Sequence, residues 1–417
     1  MMKAGTAKQN RFKALPAREL KTVQMSYLLQ SFELAPRSHL AEAVVKLTNQ
    51  ALEAFEKETK TARLLPGELL LELDGKKVPI TMMSTTWAHK LAEGFRFSAA
   101  RRHIEYEQLR ACQSVDAQFD LEKLWHLTDQ KELVAKRGGK VYLPEKPLDA
   151  NSLGVVPRAL ETVSLPEALL KPVAELLNSD YGVKPALARA MVEKAAQVRY
   201  WCSPRLKELE PGQAVWLAYS TSSKKRGAAR LLIPVVLTLL SLDEQQRKCL
   251  NRGDYKALKI AQIERITAEA WQQGSALTML DLELLLNLNG AALRELLNDY
   301  QEYFGVLLPT AGTVLDMGRT LTHKKIVVEM SLEGLSTQQI ARKIFHTPEA
   351  VDQYLKLFDR VLVLYHYGLP INLIRQVTGH SLALIKEHLA LVDKHFPTKQ
   401  ELVDYLSNRG VELENAQ

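Results

Sequence analysis

Beyond residue 310 the apolar positions recur at helical spacing almost to the end of the chain. Residues 324–333 carry Ile326, Val327, Val328, Met330 and Leu332, dense enough to predict a largely buried helix. Gly334 closes it, and Ser336 is placed to cap a second helix, STQQIARKI, with Ile340, Ala341 and Ile344 inward. After a break at Phe345-His346, Thr347 caps a third, TPEAVDQYLKLFDRVLVLY, opening on Pro348 with Glu349 in the first turn. Its inward set is Ala350, Val351, Tyr354, Leu355, Phe358 and Leu362, which leaves His346, Thr347, Glu349, Gln353, Lys356 and Arg360 outward. A second pair follows in YGLPINLIRQVTGHSLALIKEHLALVDKH (367–395). It predicts a short helix through Leu373, Ile374 and Val377, a turn at Gly379, and a helix capped by Ser381, with His380, Ser381, Lys386 and His388 exposed. An earlier pair, LDLELLLNLNGAALRELLNDYQEYFG (280–305), turns at Asn289-Gly290.

Before residue 310 the pattern is mixed. The longest apolar run, LLIPVVLTLLSL (231–242), is too short to span a bilayer, contains Pro234 and reads as a buried strand. One order of segments occurs twice. SFELAPRSHLAEAVV (31–45), LLPGELLLEL (64–73) and VPITMM (78–83) are answered by DYGVKPALARAMVE (180–193), LEPGQAVWLAY (209–219) and IPVVLTLL (233–240). In both, proline opens a helix, a Pro-Gly turn enters an apolar strand, and a second strand contains proline. Proline presets φ and glycine supplies φ > 0, the requirement of a type II turn. FDLEKLWHLT (119–128) pairs with LDLELLLNLN (280–289), and GGKVYLP (138–144) with FGVLLP (304–309). The expected fold is α-rich α+β: two related α+β halves produced by internal duplication, then an all-α tandem helix-turn-helix module. Residues 1–150 form the first half, with a degenerate helix-turn-helix. Residues 151–310 form the second, with a basic loop at 220–230 and a helix-turn-helix at 277–305. Residues 311–397 are the tandem module and 398–417 a C-terminal tail.

The composition, 46% hydrophobic and 25% charged over 417 residues, is that of a soluble globular protein long enough for two or three domains. MMKAGTAKQNRFKALPARELK has basic residues without the apolar stretch of a secretory signal, so the expectation is a cytoplasmic protein with no membrane partner. Cys112, Cys202 and Cys249 lie far apart with no CxxC, which argues against a disulfide framework and a cysteine zinc site. Neither GxxxxGK[ST] nor GxGxxG occurs, and the histidines lack metal-ligand spacing, so no cofactor is expected. The net charge of +7 favours an anionic partner. Its excess sits in the N-terminal tail and in 199–230, because residues 311–397 balance ten Lys/Arg against eight Asp/Glu.

In a helix-turn-helix the second helix enters the major groove with its N-terminal residues on base edges. Gln353 suits adenine, and Lys356 and Arg360 suit guanine or phosphate, with Ser381 and Lys386 as counterparts on the second pair. Lys224, Lys225, Arg226 and Arg230 of the basic loop, with Arg319, His323, Lys324, Lys325 and Thr347, would supply the phosphate contacts. Residues 309–381, with GTVLDMG, LTHKK, the GLS-initiated helix pair, HTPEAVDQYLKLFDRV and TGHS, resemble a prokaryotic family catalogued as domain of unknown function sixteen-seventy. LEPGQAVWLAY and IPVVLTLL are similar too, so the resemblance covers roughly residues 160–395. It implies an association with mobile elements and DNA binding through helix-turn-helix units, and it supplies no catalytic residues.

Enzymatic alternatives meet specific obstacles. LIRQVTGHSLALIKEHL resembles the His-bearing stretch of tyrosine recombinases, but the first tyrosine after His380 is Tyr405, beyond Pro397, and no HxxR box precedes it. A transposase needs three carboxylates around two metals. Asp120, Asp281 and Asp316 are candidates, yet Asp120 and Asp281 sit at matching helix starts, where a capping role serves. A non-catalytic alternative is a helical scaffold whose apolar face, 350–364, seats another protein. The preferred reading is a sequence-specific, non-catalytic protein bound to double-stranded DNA, a transcriptional regulator or mobile-element accessory factor, with room for a homodimer.

Overall fold

The computed structural model describes residues 15, 18–73, 76–82, 148, 153, 155, 156, 160, 165–222, 230–239, 255–286, 288–315, 322–346 and 348–411. The described residues up to 82 and those from 155 to 299 form one compact unit; 148, 153 and those from 300 onward form another. FDLEKLWHLT and GGKVYLP, with Asp120, lie outside the described residues.

Two Pro-Gly turns organise the sheet of the first unit. Gly67 stands at φ 88° and Gly212 at φ 89°, the left-handed second position of the expected type II turn. Each turn closes through the fourth residue's amide, Glu68 N to Leu65 O at 3.0 Å and Gln213 N to Glu210 O at 3.1 Å. In each, the fourth side chain also accepts from the first amide, at 2.7 Å on Glu68 Oε2 and 2.9 Å on Gln213 Oε1. The turns deliver β1 (Glu68–Leu73), paired with β2 (Lys76–Thr81), and β3 (Gln213–Ser220), paired with β4 (Leu232–Thr238). The two hairpins, assigned to separate halves from sequence, join one antiparallel sheet in the order β2-β1-β3-β4. The turn glycines make the seam: Gly67 N donates to Val215 O at 2.8 Å and Gly212 N to Leu70 O at 2.7 Å. Short β5 (Ser275–Ala276) pairs with the far end of β3.

Helices cover this sheet because its strands are apolar on both faces, β3 being buried from Ala214 to Ser220. α1 (Leu20–Ser31), α2 (Ser38–Glu58), α3 (Glu167–Tyr181) and α4 (Pro185–Cys202) bury Leu28, Val44, Leu177 and Met191 between them. The end of α4 carries Val198, Trp201 and Cys202 onto Leu217 and Ile233 of the sheet. α5 (Tyr255–Gln272) guards the edge of β4. The Gln273 amide exchanges two hydrogen bonds with the Val236 backbone, at 2.8 and 2.7 Å. Glu269 accepts from Thr238 N at 2.7 Å, and Arg265 donates to Thr238 O at 2.8 Å. Side chains thus stand in for the missing strand and block edge-to-edge pairing.

One carboxylate ties together three distant parts of this unit. Asp281, at the start of α6 (Met279–Leu286), is fully buried. The expected capping role holds: its Oδ2 accepts from Thr278 N at 2.7 Å, and Thr278 Oγ1 accepts from Asp281 N at 3.2 Å. Its Oδ1 also accepts from Trp216 Nε1 at 3.0 Å and pairs with Arg18 at 2.8 Å. The Arg18 guanidinium, which also donates to the Leu217 carbonyl, lies 5.1 Å from the Tyr219 ring centre. A second buried cation, Arg199, pairs with Glu56 at 2.9 Å, while Arg63 stacks on Tyr200 at 3.8 Å. After α6, Asn289 caps α7 (Gly290–Phe304) by accepting from Ala292 N at 2.8 Å, as the Asn289-Gly290 turn predicts.

The second unit is helical after α8 (Ala311–Val314): α9 (Thr322–Leu332), α10 (Thr337–Lys343), α11 (Pro348–His366), α12 (Ile371–Thr378), α13 (Leu382–His395) and α14 (Lys399–Asn408). Its main core joins Val327 and Val328 of α9, Ile340 and Ile344 of α10, Val351, Leu355, Phe358 and Leu362 of α11, Leu391 of α13 and Leu406 of α14. A smaller one joins Leu357 and Val361 of α11 to Ile374 of α12 and Leu384 and Ile385 of α13. α11 is therefore buried along two sides. Its apolar stretch 350–364, considered above as a seat for a partner, is occupied by the chain's own helices.

Replacing Asp281 with alanine strands the buried Arg18 charge. It should cost about 3–5 kcal/mol, the usual penalty for breaking one partner of a buried pair, read as a lower urea midpoint by tryptophan fluorescence. Lys21→Ala, which removes an exposed pair with Glu42, should leave that midpoint unchanged. Burial raises the Glu269 carboxyl, so folding retains a proton there above the unfolded pKa of about 4.3. Glu269's contribution is then fully present at acid pH and lost as pH rises through the raised value. The stability of Glu269→Gln relative to wild type should accordingly grow as the pH rises above the unfolded pKa of about 4.3.

Candidate nucleic-acid interface

α10–α11 and α12–α13 are two helical hairpins built to one plan. α10 and α12 start at 337 and 371, and α11 and α13 start at 348 and 382, both offsets being 34 residues. Ile340 and Ile374 are buried at equivalent places, as are Val351 and Ile385. Each turn contains a left-handed residue followed by histidine, Phe345 (φ 56°) before His346 and Gly379 (φ 71°) before His380. Phe345 tolerates a backbone that favours glycine because its ring is buried. Ser336 opens α10 with a capping box: its Oγ accepts from Gln339 N at 3.3 Å, and Gln339 Oε1 accepts from Ser336 N at 2.8 Å. Ser381 caps α13 by accepting from Leu384 N at 3.3 Å. Thr347, the expected cap of α11, lies outside the described residues.

The outward positions on α11 fall where helical phase put them. Gln353, Lys356 and Arg360 are exposed, while Ala350 and Tyr354 are half-buried. Asp352 is exposed on the same surface and accepts from Thr337 Oγ1 at 3.0 Å, fastening α11 to α10. Ser381 and Lys386 are exposed on the second hairpin. His388 is not: it is 1% exposed, with its ring edge-on to Phe358 at 5.4 Å. The expectation of an exposed histidine fails because α13 is wedged against α9 and α11, so that Leu384, Ile385, His388, Leu391 and Val392 all turn inward. The apolar set of α12 errs the other way. Ile374 alone is buried, with Leu373 at 41% and Val377 at 60% exposure, because α12 meets α11 and α13 along a stripe one residue wide.

The expected phosphate contacts are scattered. Lys224, Lys225, Arg226 and Arg319 lie outside the described residues, as do the side chains of His323 and Lys324. Lys325 is exposed and 3.9 Å from Glu329, which also takes Lys394 at 3.3 Å. Arg230, in the sheet-bearing unit, is half-buried with a hydrogen bond to Ser220 O at 3.5 Å. Arg375 and Gln376, absent from the expected set, are exposed at the end of α12. The available signal was compositional: from Arg360 through Lys386 the chain contains no Asp or Glu. Among the described residues no group of His, Cys, Asp and Glu is placed to hold a metal ion, and no helix is long and apolar enough to cross a membrane.

The family model described as "Protein of unknown function (DUF1670)" matches residues 177–391, more than half of the chain. The chain belongs to that family. The match takes in the second Pro-Gly hairpin, the first helical hairpin and the second as far as residue 391 of α13, and leaves out the Pro66-Gly67 hairpin. No curated protein and no solved structure gives a match.

Gly379→Ala should cost about 1–2 kcal/mol for the left-handed backbone alone, since no atom lies within 4 Å of the added Cβ. Equilibrium denaturation checks this, with Gly379→Asn expected to lose less.

Proposed function

We propose that this protein binds double-stranded DNA without catalysing a reaction, through the helix-turn-helix module that its two C-terminal hairpins form together. The supporting observation is the repetition at 34 residues of a short helix, a left-handed turn with histidine, and a second helix. The copies bury Ile340 and Ile374, and Val351 and Ile385, at equivalent positions, and each presents polar and basic side chains at the start or along the outer face of its second helix. That is the arrangement by which a helix is offered to a major groove. Such a protein acts in the cytoplasm as a transcriptional regulator or as an accessory factor of a mobile element. Tyr405, the first tyrosine after His380, supports the non-catalytic reading. Its ring packs on Phe358 and Phe396, and burial pushes its hydroxyl up to about 12, far from a poised nucleophile.

We further infer that the two Pro-Gly hairpins descend from one duplicated unit. Turn closure, the side-chain contact to the first turn amide and the glycine bond across the β1–β3 seam all recur at an offset of 145 residues, 67 to 212 and 68 to 213.

Selection of duplexes from a random-sequence pool by the full-length protein tests the function. Enrichment of a defined sequence is expected. Affinity for the enriched duplex should fall steeply with salt, log K changing by about 0.9 per decade for each phosphate contacted. A pool that stays random with no duplex retained at low salt contradicts DNA binding.

A further inference from the structure

The two hairpins share a plan and differ in charge. At the 34-residue offset, exposed Glu349 and Asp352 of α11 correspond to Ala383 and Lys386 of α13. The first helix thus presents carboxylates where a reading helix meets the groove, and the second presents a small residue and a cation. We propose, resting on the DNA-binding reading above, that α12–α13 is the hairpin that enters the major groove. Arg375 and Gln376 join Lys386 as the residues that hold and read the duplex, and α10–α11 is their packed support.

Three further observations carry this choice. α11 and α13 pack on one another, so their axes are within roughly 8–10 Å. Successive major-groove faces lie about 34 Å apart, so the two helices cannot each read one, and a single reader must be chosen. Lys356 and Arg360 stand eight and twelve residues beyond the start of α11, and Lys386 four beyond that of α13. At about 1.5 Å per residue, Lys386 is the cation near the helix end that approaches base edges. Finally, α12 buries only Ile374, which leaves Arg375, Gln376 and Val377 exposed on a stretch of chain, 360–386, that contains no Asp or Glu. Arg375 and Lys386 form no ion pair among the described residues. Charge complementarity therefore commits this surface to a polyanion, and Leu373 and Val377, one helical turn apart, offer apolar contact of the kind thymine methyl groups accept.

The test uses the full chain and a duplex enriched by the wild type from the random pool. Arg375→Ala/Lys386→Ala should weaken binding about ten-fold or more, a clearly larger loss than Lys356→Ala/Arg360→Ala produces. Gln376→Ala should retain DNA while changing the enriched sequence. All these side chains are exposed, and matched melting curves verify that each variant is folded. If the first pair binds as wild type, or both pairs lose affinity alike, the assignment is overturned while DNA binding stands. If the wild type retains no duplex, DNA binding itself fails and the assignment with it. Leu373→Asp/Val377→Asp, read by sedimentation and by affinity, covers the remaining occupant. Dissolution of a dimer with unchanged DNA affinity would make this surface an interface between two copies and overturn the proposal.

Discussion

The second unit depends on the double burial of α11. Leu357 and Val361 face one cluster, and Val351, Leu355, Phe358 and Leu362 face another. A helix committed on two sides has only a narrow outer stripe, and Glu349, Asp352, Gln353, Lys356 and Arg360 occupy it. The same residues that make α11 rigid limit how far it can project into a groove. α12 and the start of α13 face one smaller cluster, through Ile374, Leu384 and Ile385 with half-buried Ile371. Projection and charge therefore favour the second hairpin, and stability favours the first. The proposed division between support and reader rests on this distribution of apolar surface, with no change of backbone plan.

The first unit meets a comparable constraint with polar groups. Asp281 joins α6, β3 and the segment before α1 through Thr278, Trp216 and Arg18. A buried carboxylate with this many donors specifies one arrangement, because any slip leaves a charge or an indole N–H without a partner. Gln273, Glu269 and Arg265 use the same economy at β4, where side chains satisfy an edge that would otherwise pair with another strand.

Local features of this fold were legible in the sequence. The type II turns at Pro66-Gly67 and Pro211-Gly212, the Ser336 and Ser381 caps, the Asn289-Gly290 turn and the buried sets of α9 and α10 each depend on neighbouring residues alone. Contacts between distant segments were not legible. Nothing within LLPGELLLEL announces that Gly67 will bond Val215, so the hairpins were read apart. Leu357 was left out of the inward set of α11 because a single amphipathic stripe was assumed. His388 was read as exposed because a polar residue defaults to the surface when the helix's neighbours are unknown. Arg375 and Gln376 stand on the first helix of their hairpin, where the helix-turn-helix pattern places no base contact. The absence of acids from 360 through 386 is the one sequence feature that sets their stretch apart.

The central claim is that DNA is met by α12 and the start of α13, on a scaffold fixed by α11. Amide hydrogen exchange of the full chain, with and without a wild-type-enriched duplex, tests it most directly. The account predicts new protection in residues 371–386, with α11 already slow to exchange and unchanged. Protection confined to 349–360, or none in either hairpin while the duplex is bound, would contradict it.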